Sequence, residues 1–465
     1  MDKRETSKSN PRRGAFGLST GIAGLAFILA TSLACDRQSA TTHQSELSVG
    51  NKSSTTLDLR EPAALSAAAM QKLAITGTEQ MVAFARPSSW NLSSLNIVML
   101  NLPDGQPLNF KRRTLGSSAP NSTKNSTAKS QSFFARTDDG AELVITQRGK
   151  ATVGRVHYRG KVYRIRAADA DTLALVSVAP STLQSCTTAS QSADSENVAP
   201  IGIDASKLDL DGGISVPSIS AAEIRILVVY TEDALKGAAP WYDNNENDYI
   251  KAEIDNEIAV TNDIFENSDI RHSVKLAKAV EIDKDEGFAD ELGGYLYWLR
   301  QQIRDSNSNI YSKRESYAAD VVSLWVNDGL DSCGIGYVMT TVTNGFKSSA
   351  VNVVDRNCNY KYTFTHELGH NLGCRHDSYV ESSDAPFAYA HGHTAHSTNN
   401  YSVMAYDDDC KDNNDWWDRL WNPCTRQPVF SNPDISIDGA AMGSSGSADN
   451  ARVIDLTGNT VANFK

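Results

Sequence analysis

The stretch THELGHNLGCRHD, Thr365 to Asp377, constrains this chain more than any other, because it commits three histidines and a glutamate to fixed offsets. Only nine histidines occur among 465 residues. On a helix, positions i and i+4 project from one face, so His366 and His370 aim two imidazoles at a common point. Such a pair suits Zn²⁺, which sits about 2.0–2.1 Å from each nitrogen. A third ligand one turn further along the same face would need the helix to run on straight. Gly373 instead can take the left-handed conformation that ends a helix, and His376 then approaches from a loop. Three neutral imidazoles leave the fourth tetrahedral position to water, which marks a catalytic rather than a structural zinc site.

Glu367, next to His366 on the helix, should lie beside the metal without ligating it. Zinc lowers the pKa of a bound water to about 7, so Glu367 can accept that proton and then deliver it to a leaving amine. That is peptide-bond hydrolysis. A bare HExxH pattern occurs by chance in many chains. The added glycine and third histidine make it specific. The plain alternative is a site that holds zinc without turnover, and the presence of Glu367 argues against it.

A chain of 465 residues suggests two domains. Its net charge of −12 argues against a nucleic-acid partner, since phosphate binding needs a basic surface. There is no second long apolar stretch after the N-terminus, which excludes a multi-span membrane protein. The opening MDKRETSKSNPRRGAFG is basic, and LSTGIAGLAFILATSLA is apolar with small residues at its end. Residues 1–34 therefore read as a bacterial-type secretory signal. Two readings of SLAC stay open: simple cleavage after Ala34, or a lipid-modified Cys35, with Ser32 standing where that signal usually carries Leu. Either way the protein is expected to be exported, secreted or held at the cell envelope, and to meet a membrane only through Cys35. Nothing in the sequence specifies an oligomer.

Export favours disulfides among Cys186, Cys333, Cys358, Cys374, Cys410 and Cys424. Local separation alone ranks Cys333 with Cys358 first, and Cys410 with Cys424 next.

Residues 36–200 form a β-rich, propeptide-like domain behind a polar start. SLNIVML, AELVITQ, ATVGRVHY, KVYRIRA and TLALVSV alternate apolar and polar residues between turn signals and read as strands. GSSAPNSTKNSTAKSQS interrupts them as a loop. Composition shifts over 201–221 as in a linker. From residue 222 to 465 strands and helices alternate. EIRILVVYT, SVKLAKAVEI, ADVVSLWV and SAVNVVD are strands. Ile250, Ile254, Ile258, Thr261 and Phe265 stand at helical spacing, as do Leu292, Leu296, Leu299 and Ile303. A last helix is expected near Ala448–Phe464. The fold class is α+β, with an α/β-like C-terminal domain whose mixed sheet carries the helices.

The motif HELGHNLGCRH, followed by YSVMAY, resembles the metzincin zinc endopeptidases, whose pattern is HExxHxxGxxH and a later methionine turn. The resemblance implies a mixed twisted sheet with an active-site helix, and Met404 as an apolar floor under the ligands. Asp377 after His376 is like the reprolysin branch. Tyr406, two residues after the methionine, is placed as in astacin- and serralysin-like enzymes, where a tyrosine binds the metal or stabilises the oxyanion; a packed core tyrosine is the other reading. ILVVYTEDAL, ADVVSLWV, CGIGYVM, YTFTHELGHNLGCRHD, SVMAY and FSNPDISIDGAAMGSSGSADNAR, in this order from about Glu223 on, are similar to bacterial reprolysin-like enzymes of the peptidyl-Asp metalloendopeptidase type. Cleavage of proteins or peptides before acidic residues is implied, which would want a positive pocket; Arg375, Arg356 and Lys361 are near the motif in sequence. Cys374 inside the motif departs from the small or apolar residue expected there, and a disulfide holding the turn is one account of it.

The β-rich domain is expected to act as a brake, filling the cleft or supplying a zinc ligand, with Cys186 a candidate switch thiolate. The Ile203–Asp204, Leu208–Asp209 and Leu210–Asp211 bonds of the linker are candidate self-maturation sites. His391, His393 and His396 in HGHTAH invite a second metal, although a loop beside the cleft is the commoner meaning. YDDDCKDNNDWWD invites Ca²⁺ through its carboxylates, against a solvated acidic loop. The competing function is an exported zinc-binding adhesin or pseudoprotease without turnover. Zinc hydrolysis of a non-peptide amide is a third reading.

Overall fold

Alternating hydrophobicity between residues 56 and 177 becomes one nine-stranded sheet. The computed structural model describes residues 55–72, 80–87, 91–113, 130–178, 187–189, 220–240, 243, 245–330, 332–415, 417 and 421–465. The secretory signal with Cys35, Cys186 and most of the linker, including Asp204, Asp209 and Asp211, lie outside the described residues.

The strands are β1 (Thr56–Leu59), β2 (Met81–Ala85), β3 (Ile97–Asn101), β4 (Pro107–Arg112), β5 (Ser130–Arg136), β6 (Glu142–Arg148), β7 (Ala151–Tyr158), β8 (Lys161–Asp169) and β9 (Thr172–Ser177), with the short helix α1 (Ala67–Lys72) after the first. From β4 to β9 each strand runs antiparallel to the one before it. β2 closes on β9, and β1 adds parallel to β3. Arg159 and Gly160, both at positive φ (48° and 72°), make the tight turn between β7 and β8. The alternation buries Leu100, Phe110, Phe133, Leu143, Ile145, Val156 and Leu175 in a single core. One boundary differs from the sequence reading: Ser130–Ser132, the end of the supposed loop, already belongs to β5, where Ser132 Oγ bonds Thr146 Oγ1 across the ladder at 2.8 Å.

The second sheet has six strands: β10 (Thr187–Ala189), β11 (Glu223–Tyr230), β12 (Ser273–Glu281), β13 (Val321–Val326), β14 (Gly334–Tyr337) and β15 (Val351–Asp355), in the order β10-β14-β15-β13-β11-β12. β12, β11, β13 and β15 are mutually parallel, and β14 is antiparallel to β15. β10 pairs parallel to β14 on its outer edge. Every residue of β13 and β15 is buried, as expected of parallel strands covered on both faces. The helices are α2 (Glu232–Ala238), α3 (Glu246–Asn267), α4 (Leu292–Arg304), α5 (Asn309–Ser316), α6 (Thr363–Asn371), α7 (Asp407–Asp412) and α8 (Asn450–Val461). Mixed sheet and helices thus bear out the α+β expectation. Among the elements not singled out beforehand are β10, β14, α2, α5 and α7, the last read as a solvated acidic loop. No helix among the described residues is long and apolar enough to cross a membrane.

Helix α3 lies between the two sheets, against β5, β6 and β7 on one side and β12 on the other. Residues 53–465 accordingly cluster as one unit. Both expected disulfides are present, Cys333–Cys358 and Cys410–Cys424. Cys374 is not in one: it is a buried thiol whose Sγ lies 3.8 Å from the Asn450 carbonyl oxygen, packed into the core beneath α8. Burial holds its pKa well above the usual thiol value, so it stays protonated.

Candidate metal centre

Tyr362, in the left-handed region at φ 66°, turns the chain out of a 3₁₀ segment (Arg356–Lys361) and into α6. The helix ends where glycine allows it to. Gly373 has φ +92°, and a Cβ there would come within 3.1 Å of Pro386. Beyond it the chain doubles back: Arg375 N donates to Ala390 O at 2.7 Å, and Gly392 N to Arg375 O at 3.0 Å. That turn delivers His376 to the two helical histidines.

The three Nε2 atoms converge. His376 Nε2 lies 3.1 Å from Nε2 of both His366 and His370, and among the described residues this is the one group of potential ligands close enough to share an ion. Carbonyl oxygens hold the other ring nitrogens: Val403 O for His366 Nδ1 at 2.9 Å, and Cys374 O for His370 Nδ1 at 2.8 Å. Glu381 Oε2 lies 3.6 Å from His376 Nδ1 and accepts from its backbone N at 3.2 Å. The two carbonyls favour the proton on Nδ1 of His366 and His370, leaving each Nε2 a lone pair, and the nearby Glu381 carboxylate favours the same tautomer of His376. Burial, with the neighbouring imidazoles, pushes the pKa values of His366 and His376 well below the usual value, and burial brings His370 to about 4. Three lone pairs aimed at one point repel each other unless a cation sits between them. The donor set fits Zn²⁺.

Around the triad, packing explains several residue choices. Met404 is fully buried beneath α6, and a Cβ on Gly369 would fall 2.6 Å from its Sδ. Tyr406 Oη is 2.9 Å from His376 Nε2, and the ring packs on the Cys333–Cys358 disulfide. Asp377 ties the ligand loop to the methionine turn by accepting from Tyr406 N at 2.9 Å. Glu367 is fully buried and faces β14: a Cβ on Gly334 would lie 2.6 Å from its Oε1, and one on Gly336 3.2 Å from its Oε2. Two glycines on one face of a strand therefore make room for this carboxylate. That was missed in the sequence, although the i, i+2 spacing of CGIGY was the available signal.

Each of the three cations near the motif has neighbours in the structure. Arg375 is engaged by Glu381 and by the Ala385 carbonyl, and Arg356 pairs with Glu253 at 3.0 Å. Lys361 Nζ stands 3.7 Å from Cys333 Sγ. Arg426, not singled out beforehand, donates to Ala405 O at 2.9 Å and to Lys361 O at 3.2 Å. The HGHTAH histidines do not gather. His391 Nδ1 bonds the His376 carbonyl at 2.8 Å, supporting the ligand loop from behind, and His396 pairs with Asp409 at 3.0 Å. Within the acidic run, Asp407–Asp412 forms α7, where Lys411 holds Asp407 and the Tyr379 hydroxyl donates to Asp412.

Residues 220–417 match the reprolysin-type model described as Metallo-peptidase family M12. The peptidyl-Asp metalloendopeptidase of Stenotrophomonas maltophilia is 28% identical over 334 residues, covering 70% of this chain and 72% of its own. That of Xanthomonas campestris pv. campestris is 28% identical over 345 residues, covering 71% and 72%. One from Pseudomonas aeruginosa is 29% identical over 266 residues, covering 52% of this chain and 40% of its own.

Proposed function

Because the chain is a metzincin-like zinc metalloendopeptidase, we propose that His366, His370 and His376 hold the zinc, that Glu367 carries the proton, and that the enzyme is exported as a latent precursor cutting bonds next to aspartate. One observation carries the reading: three buried imidazole nitrogens meet at a point, and the same helix holds a buried carboxylate, Glu367, that β14 walls in. A zinc held by these three histidines would supply Lewis acidity toward a scissile carbonyl and lower the pKa of a water. Glu367 takes the proton of that water on a carboxylate oxygen and passes it to the departing amine. Tyr406, whose Oη lies 2.9 Å from His376 Nε2, is assigned as the donor to the negative charge that develops on the carbonyl oxygen, a reading its closeness to the triad supports.

Latency finds support in β10. Thr187–Ala189 pairs with Ile335–Tyr337 of β14, the strand that borders Glu367, and so takes an edge to which an extended peptide would add. Export accords with the N-terminal signal and with two disulfides. The aspartate preference rests on the names of the relatives.

The test is cleavage of a casein and of an aspartate-containing peptide by wild type, by Glu367→Gln and by chelator-treated protein. Turnover is expected in the first alone, with Glu367→Gln lowering kcat/KM by about 10²–10⁴ while zinc stays bound. Equal cleavage by all three would end the proposal. N-terminal sequencing of the exported form reads the maturation site, expected at Asp204, Asp209 or Asp211.

A further inference from the structure

Helix α3 belongs to both halves of the protein at once. Its Tyr249 and Ala252 are buried in the core of the nine-stranded sheet, while Ile250, Ile254, Val260 and Ile264 are buried in the other core. In return, Phe134 of β5 and Val144 of β6 are buried in the core of the six-stranded side. Acidic residues of the helix meet arginines of the sheet between these apolar contacts: Asp255 with Arg148 at 2.8 Å, Glu257 with Arg155 at 3.2 Å, and Asp263 with Arg113. Asn256 donates to Thr146 Oγ1 at 2.9 Å, and Arg155 reaches past the helix to the Asn359 carbonyl at 2.6 Å. Tyr362, at the threshold of α6, stacks on His157 of β7 with ring centroids 4.9 Å apart.

We infer that the N-terminal sheet stays on the protease domain as a non-covalent subunit after the segment joining them is cut. A propeptide that leaves needs a surface both halves can return to water. Here each half lends apolar side chains to the other's core, which is how obligate interfaces are built. The Arg155–Glu257 pair lies in the dry middle, its side chains 4% and 6% exposed. Separation strips each charge of its partner while exposing the apolar residues around it. The ion pairs set register, and the interlocked cores hold the halves together. Any cut beyond Ala189 leaves β10 attached to the retained half, so a cut linker and an uncovered β14 edge are separate events.

The inference rests on the maturation cut proposed above for its role in the cell, but its test does not. A site for a sequence-specific protease is placed between residues 204 and 211 of the full chain carrying Glu367→Gln, so that no self-cleavage contributes. The folded protein is cut and run on gel filtration at about 0.15 M salt, where exposed charges more than about 8 Å apart are screened. Both fragments are expected in one peak at the mass of the uncut chain. Asp263→Arg should raise the dissociation constant of the fragments at least about tenfold, and adding Arg113→Asp should restore it, since opposed charges couple across an interface in either orientation. Fragments that separate overturn the inference. So does co-elution only as larger aggregates that ignore both substitutions.

Discussion

Helices α3 and α6 both bury polar side chains, and they dispose of them in opposite ways. In α3, Asn256, Glu257 and Asp263 are buried, and each meets a partner supplied by the nine-stranded sheet. In α6 all nine residues are buried, yet the Nε2 atoms of His366 and His370 turn toward a third imidazole instead of toward donors. Polar groups answered from within the protein fix how two parts fit together. Polar groups gathered on one another ask for something the protein does not contain. The first arrangement is a seam and the second a site.

The contrast is sharpest under substitution. His370→Ala should empty the site: zinc falls from one per chain to none by elemental mass spectrometry, and peptide cleavage falls to the uncatalysed rate. The fold should survive, because β13, β15 and the rest of the core do not depend on that ring. Arg155→Leu should do the reverse, leaving the zinc ligands intact while costing about 3–5 kcal/mol of stability, because it strands the Glu257 carboxylate in a dry interior. Adding Glu257→Leu should return most of that loss, and urea denaturation measures both. A milder effect is expected for Tyr406→Phe, about a hundredfold in kcat with KM little changed, if the hydroxyl acts on the developing oxyanion. A change confined to stability would make it a packing residue instead.

The smallest effect is on pH dependence. Burial pushes Glu257 up to about 7 from an ordinary 4.5, outweighing the nearby Arg155 guanidinium. Between those two values the folded protein keeps a proton that the unfolded chain has lost. Stability therefore falls as pH rises from about 4.5 to 7 and is level above. Glu257→Gln should remove that slope, which denaturation midpoints at several pH values would show. An unchanged slope assigns the titration to another group.

Local pattern carried much of this. The spacing of His366, His370, Gly373 and His376 encodes both the helix face and its end, so the triad was legible from one short string. Five strands of the nine-stranded sheet, β3 and β6 to β9, were legible as short apolar runs between turn signals, whereas β1, β2, β4 and β5 were not singled out. β14 was not, because Gly334 and Gly336 bring no hydrophobic signal; their reason for being glycine is a carboxylate some 30 residues away. The supports of the ligands were equally hidden. Val403 and Cys374 act through backbone carbonyls, which every residue has. Arg155 and Glu257 stand 102 residues apart, and no local pattern links them. Cys374 inside the motif invited a crosslink, whereas the core beneath α8 simply has room for a small apolar side chain.

The Cys333–Cys358 bridge joins the residue just ahead of β14 to the short turn that leads into α6. It thus pins the start of β14 to the entrance of α6 at a single point, with Tyr406 packed against the bridge. In a thiol-reducing compartment that pin would be open, and the strand that walls in Glu367 would lose its covalent tie to the turn that leads into the ligand helix. A link that closes only under oxidising conditions would tie the order of this site to the compartment the chain occupies.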